Sequence, residues 1–326
     1  MSIRVGIIGC GTVARRVHIP AFIKAGIEVV ACASRSVASA EAAAIEAGAQ
    51  IVDDWRDLIA WDGVDAIDIC SPNAAHAEQA VAAAKARKHV LVEKPIAATL
   101  EQAGEIVVAA ASAGVVLHVT QNLRYLAPGI AARHFLETGL LGEITAVRAA
   151  FGHSGPRDWA PDAEWFFEKE SSGGGALIDL GIHIVDLVRY ITGLEAERVS
   201  AMMQGGHEVE DAAQVIIRFR GGALGTINAS WIARPAPDLS MTILGTGGIL
   251  HFDARTPLTF RSAHGEKEEI ELPQLTANPY TDFIAAIEGR PLAVRAATGT
   301  DGRAALAIVS AAYASASSGQ TVDVSY

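Results

Sequence analysis

The chain has little cysteine, little positive charge and no apolar run long enough to cross a membrane. Its three cysteines, Cys10, Cys32 and Cys70, are odd in number and form no C-x-x-C. That argues against a disulfide framework, and buried free thiols in a reducing, cytoplasmic compartment are the simplest reading. Lys and Arg number 26 against 37 Asp and Glu, a net charge of −11. A surplus of that sign argues against nucleic acid or an anionic membrane as partner. No charged-then-apolar leader is present, and Arg15-Arg16 falls within the first expected helix, where it reads as a solvated face. No repeat stands out, and the alanine richness favours helix.

Half of the 326 residues are hydrophobic, enough for two domains with sizeable cores. Apolar runs at 4–8, 27–33, 64–70, 89–92 and 115–119 alternate with Ala-rich helical segments at 36–47, 74–87 and 99–113. That rhythm predicts a parallel βαβ sheet over 1–121. Pro128 is expected to open a helix to about Glu137. Beyond residue 122 the period changes: Ala213, Val215, Ile217 and Phe219 share one face, Gln214 and Arg218 the other, and 223–231 alternates likewise. Period two with one polar face predicts antiparallel strands in a second, α+β domain over 122–326. The fold class is therefore α/β followed by α+β.

Three motifs carry chemistry. Gly9-Cys10-Gly11-Thr12-Val13-Ala14 follows a strand and opens a helix, the G-x-G-x-x-A pattern of a dinucleotide site. Gly9 would make the tight turn, Gly11 would admit a pyrophosphate, and the helix start at Thr12 and Val13 would receive it. Glu93-Lys94-Pro95 ends a strand, where doubly wound sheets bind ligands, although a surface lysine opening a loop is the commoner case. In Gly173-Gly174-Gly175-Ala176-Leu177-Ile178-Asp179-Leu180-Gly181-Ile182-His183, Asp179 and His183 lie one helical turn apart among apolar residues. They read as an acid/base pair, against the plainer alternative of a satisfied core histidine.

The ordered set GxGxxA at 9–14, Ser71-Pro72-Asn73-x-x-His76, Glu93-Lys94-Pro95 and GGGALxDLGxHxxD at 173–186 resembles the glucose–fructose oxidoreductase / inositol dehydrogenase family over nearly the whole chain. The resemblance implies a Rossmann domain, then a domain with a large, mostly antiparallel open sheet. It implies late helices at about 279–288 and 301–318 that pack back on the first domain. It also implies hydride exchange between NAD or NADP and a hydroxyl carbon of a sugar or cyclic polyol.

Ser71, Asn73, His76, Glu93 and Lys94 would then join Gly9, Gly11, Thr12 and Val13 around the cofactor. Lys94 would polarise the reacting oxygen, His183 would move the proton, and Asp179 would orient His183. Arg124, Tyr125 and Trp165 are candidate substrate contacts beside Asp179 and His183. Asp186 is either a further polar contact or a structural residue. The aromatic Trp159 and 165–167 suit a sugar face or plain packing equally.

The second strand ends in Ser34-Arg35-Ser36 without the carboxylate that holds an NAD ribose, which favours NADP, with Arg35 and Ser34 on its 2′-phosphate. A metal is not expected, because the nicotinamide supplies the redox chemistry. The outer face of the second sheet, with Gln214, Arg218, Thr226, Asn228 and Ser230, has the mixed polarity of a wet subunit interface, and the resemblance implies a homo-dimer or homo-tetramer formed through it. Two other readings share this scaffold: a redox-neutral NAD-dependent glycosidase, and a non-catalytic nucleotide-binding regulator, which would be expected to lose Lys94 or His183.

Overall fold

A computed structural model describes residues 3–205, 208–234, 238–253 and 256–326. Strands β1 (Arg4–Ile8), β2 (Glu28–Ala33), β3 (Gln50–Ile51), β4 (Ala66–Ile69), β5 (His89–Val92) and β6 (Leu117–Val119) alternate with helices α1 (Ile19–Lys24), α2 (Val37–Ala47), α3 (Trp55–Ala60), α4 (His76–Lys85) and α5 (Leu100–Ala113). β4 and β5 are almost wholly apolar, because a parallel strand covered on both faces has no wet side. Ser36, Asp54 and Thr99 cap α2, α3 and α5 by accepting backbone N–H groups. The sequence pattern does not show β3 and α3, since two exposed strand residues and six helical residues are too short to display a period.

Next come α6 (Ala127–Glu137), β7 (Ile144–Gly152), α7 (Lys169–Ser172), α8 (Ile182–Thr192), β8 (Ala196–Gln204), β9 (Ala212–Phe219), β10 (Leu224–Ser230), β11 (Asp238–Gly245), β12 (Gly248–Asp253), β13 (Thr259–Ser262) and β14 (Lys267–Glu269). The chain ends with α9 (Pro279–Ile287), β15 (Ala297–Thr298), α10 (Gly299–Ser318) and β16 (Val322–Asp323).

Two compact units result. The first comprises 1–121 and 277–303, the second 122–276 and 304–326. The stretch 122–326 is thus interrupted: α9, β15 and the start of α10 belong to the first unit. The first sheet runs β15-β6-β5-β4-β1-β2-β3, parallel except where β15 meets β6.

The second sheet runs β14-β13-β12-β11-β7-β10-β9-β8-β16 and is antiparallel except for β7 with β10. On β9 the expected alternation is present: Ala213, Val215, Ile217 and Phe219 are buried, while Gln214, Ile216 and Arg218 are exposed. Among the described residues no helix is long and apolar enough to cross a membrane.

Candidate active site

The strand order reverses direction between β1 and β4, and crevices at such a switch point receive ligands in doubly wound sheets. Gly9 ends β1 with φ +90°, and a Cβ there would lie 2.4 Å from the Ser71 backbone nitrogen at the end of β4. Only glycine fits that turn. A Cβ on Gly11 would meet nothing within 4 Å, which is the open approach a pyrophosphate needs. Thr12 and Val13 begin the helix that follows, so the residues present fit a dinucleotide at a helix start.

Asn73 is buried just after β4, and the Ser71 hydroxyl donates to Gln79 at 2.6 Å. Ser34 is half-buried and Arg35 exposed at the end of β2, while Ser36 caps α2. His76 departs from its expected role as a cofactor contact. It is fully buried, with its ring nitrogens on the carbonyl oxygens of Pro95 (2.9 Å) and Ser71 (2.8 Å), so it straps two loops together.

Glu93 and Lys94 follow β5, and the Lys94–Pro95 peptide is cis. Around Glu93 lies a buried network that sequence reasoning missed. His18 Nε2 lies 2.9 Å from Glu93 Oε1 and His18 Nδ1 lies 2.8 Å from Asp68 Oδ2. Thr120 Oγ1 donates to Glu93 Oε1, and the Lys94 N–H donates to Glu93 Oε2 at 3.1 Å. A turn of π-helix at Ala14–His18 carries the ring, and Tyr280 meets it edge-on at 4.7 Å. The signal for His18 was the one histidine in a helix whose Arg15-Arg16 face was already assigned to solvent.

His18, Asp68 and Cys70 offer donors within 4.8 Å of one another. Both ring nitrogens already face carboxylates, and burial pushes the Cys70 thiol up, so the set is engaged in hydrogen bonds. Burial also pushes Glu93 upward, but His18, Lys94 and Thr120 outweigh it and bring the carboxyl down to about 2.

Burial drives the His18 ring toward neutrality, yet Asp68 holds it charged, with its pKa well above the usual value. A raised folded value means the stabilisation is complete below about pH 6.5, the unfolded value, and is lost as pH rises through the folded one. Over that interval wild type is expected to lose stability with rising pH relative to His18→Asn. Urea midpoints from about pH 6 to about pH 9 check this, and parallel curves would contradict it.

In the second unit the glycine run serves packing. A Cβ on Gly174 would sit 2.0 Å from the Tyr313 hydroxyl, and one on Gly175 would sit 1.9 Å from the Glu210 carbonyl oxygen. The Glu210 carboxylate accepts from the N–H groups of Gly175 (3.0 Å) and Leu177 (2.8 Å) and from the Tyr313 hydroxyl (2.7 Å). It thereby caps a helix start with negative charge. That helix opens with a π turn, Leu177–Gly181, which holds Asp179, and continues as α8, which holds His183. π turns of this kind recur at functional sites.

Asp179 and His183 are 6% and 7% exposed, buried like core residues yet ionisable. Trp231 Nε1 donates to Asp179 Oδ2 at 2.8 Å, and His153 Nε2 approaches the same oxygen at 3.8 Å. The Gly155 N–H donates to His153 Nδ1, which leaves Nε2 as the protonated nitrogen of a neutral ring. Flat rings continue from there: Phe151 lies 6.0 Å from His183 and 6.3 Å from His153, and Trp159 lies 6.5 Å from His153. Trp165 is half-buried and stacks on Phe166 at 3.9 Å.

Arg124 requires a correction. Expected as a substrate contact, it is 1% exposed and makes a bidentate pair with buried Asp186, at 2.7 and 2.6 Å. Its position just after the last Rossmann strand suggested a ligand, but two of its guanidinium nitrogens are held by Asp186. Asp186 is accordingly structural. Tyr125, next in the chain after Arg124, is half-buried. The broad trough of about 1450 Å³ in this unit lies elsewhere, on the outer sheet face with Met202, Gln214, Ile216 and Asn228, and neither Asp179 nor His183 lines it.

Residues 3–121 match the oxidoreductase family with NAD-binding Rossmann fold, and residues 130–251 match the GFO/IDH/MocA C-terminal domain. A 1,5-anhydro-D-fructose reductase of Ensifer adhaerens is 34% identical over 98% of both chains. A D-glucoside 3-dehydrogenase of Escherichia coli (strain K12) is 29% identical over 99% of this chain and 97% of its own. A levoglucosan dehydrogenase solved with NADH and levoglucosan matches at a TM-score of 0.88, 27% identical over 100% of each chain. A nucleotide-fitting switch point and full-length likeness lead to one conclusion: the chain belongs to the GFO/IDH/MocA oxidoreductase family and is an NAD(P)-dependent dehydrogenase or reductase.

Proposed function

We propose that the enzyme interconverts a hydroxyl and a carbonyl on a sugar or cyclic polyol and prefers NADP. The buried Asp179–His183 turn, flanked by Phe151, His153 and Trp159, carries this reading. Flat rings suit the C–H face of a sugar, and the adjacent polar groups suit its hydroxyls. The anhydro-sugars and glucosides in the relatives' names support the same class.

Bound nicotinamide supplies the hydride acceptor or donor. Lys94 brings its ammonium to the reacting oxygen, where charge develops. His183 takes the hydroxyl proton in oxidation and returns it in reduction. Asp179, steadied by Trp231, favours the imidazolium. Tyr125 and Trp165 contact the substrate. Gly9, Gly11, Thr12 and Val13 hold the pyrophosphate, with Ser71 and Asn73 beside it, while Glu93 stays in its buried network with His18 and Thr120.

Exposed Arg35 and neighbouring Ser34 support the NADP preference, since no carboxylate at the end of β2 repels a 2′-phosphate. Arg35→Ala is expected to weaken NADPH by roughly tenfold and NADH far less. Equal losses in a fluorescence titration would reduce Arg35 to stacking on adenine. The outer sheet face, with Met202 82% and Ile216 58% exposed, supports pairing with a second copy into a dimer or tetramer. Light scattering that returns a monomer at micromolar concentration would remove this expectation. The free cysteines, two buried and one half-buried, support a cytoplasmic setting.

The test is a panel of anhydro-sugars, glucosides, aldoses, ketoses and inositols offered with NADP and NAD in parallel. Accumulation of reduced nicotinamide, faster with NADP, is expected. Turnover without net reduction would favour the redox-neutral glycosidase instead.

A further inference from the structure

We propose that His18 is a positioning residue for Lys94: through Glu93 it fixes the Glu93–Lys94–Pro95 turn to the helix that opens at the glycine loop. This rests on the reading of Lys94 as the group that acts on the reacting oxygen. Glu93 immediately precedes Lys94, and the Lys94 N–H closes on Glu93 Oε2, so carboxylate and lysine backbone move together. Glu93 Oε1 is gripped from two other elements, by His18 Nε2 and by Thr120 Oγ1 at the end of β6. On its far side His18 is anchored by Asp68 on β4. Pro95, on the other flank of Lys94, is tied through its carbonyl to His76, and through His76 to Ser71. The residues on both sides of Lys94 are therefore fixed, one to the start of the dinucleotide helix and one to the loop after β4.

Stability alone does not account for this network. Buried ion pairs are often no better than apolar residues of equal volume, because desolvation offsets their attraction. Asp68 Oδ1 is buried with no hydrogen-bond partner, a further cost. What the network supplies is direction: charge-assisted bonds at both ring nitrogens allow one geometry for Glu93. Catalytic geometry has that sensitivity, since a displacement of about 1 Å can cost 10²-fold in rate.

The test uses the full-length protein with His18→Asn, Thr120→Val and Thr120→Ser. Should His18→Asn fail to fold, Thr120→Val, which removes one grip and keeps the ring, carries the test. Amide exchange at Lys94, followed by NMR, is expected to quicken in Thr120→Val and His18→Asn while Val90 and Leu91 stay protected. In the same variants kcat is expected to fall roughly 10–100-fold with NADPH affinity nearly unchanged, and Thr120→Ser should restore both readouts.

Unchanged exchange at Lys94 would overturn the clamp. Faster exchange with wild-type kcat, or kcat and NADPH affinity falling together, would overturn its role in positioning Lys94. Lys94→Met with wild-type kcat would instead remove the reading of Lys94, and with it the functional half of the proposal, whatever the exchange shows.

Discussion

Lys94→Met and His183→Ala should each lower kcat by roughly 10²–10⁴-fold while leaving NADPH affinity nearly intact. Each removes a group that stabilises charge or moves a proton at the reacting oxygen, and neither is placed at the pyrophosphate. Asp179→Asn should cost less or a similar amount, because the imidazole stays while the charge supporting its protonated form goes. The oxidation-direction pH profile of His183→Ala should lose the ionisation that gates proton removal. Steady-state kinetics beside cofactor titrations measure all of this. If His183→Ala were nearly as fast as wild type, the plainer reading of His183 as a core histidine would stand.

Arg124→Ala and Asp186→Ala should each destabilise the protein by about 3–5 kcal/mol, since either change strands a charge in the interior. Replacing both by apolar residues of similar volume, Arg124→Met with Asp186→Leu, should cost clearly less than either single change. Urea unfolding checks both statements. A near-native midpoint for Arg124→Ala combined with a raised KM would return this arginine to the substrate.

Much of the first unit is legible because its signals are local. A strand, a glycine turn and a helix follow one another within some twenty residues, and buried parallel strands announce themselves as continuous apolar runs. The alternation over 212–230 is equally direct. Less was visible where the decisive partner is distant in sequence. Asp68 and Glu93 lie fifty and seventy-five residues from His18, so nothing near His18 shows why that histidine is buried. The same holds for Glu210, thirty-three residues from Leu177, and for Tyr313, whose hydroxyl fills the space Gly174 leaves.

The glycine run leads into the helix that holds Asp179 and His183, and its cause is close packing against Glu210 and Tyr313. Arg124 failed for a related reason. A guanidinium at the end of a sheet looks like a ligand contact until the carboxylate that pairs with it, sixty-two residues on, comes into view.

The most direct test of the account follows a label. A substrate from the panel that turns over is prepared with deuterium on the carbon to be oxidised, and the enzyme is given excess NADP. Net dehydrogenation predicts that the reduced cofactor released into solution carries the deuterium, one atom per molecule of oxidised sugar. It also predicts that His183→Ala slows this transfer while the cofactor still binds. Deuterium retained in the sugar product, or lost to water without reduced cofactor accumulating, would contradict the account.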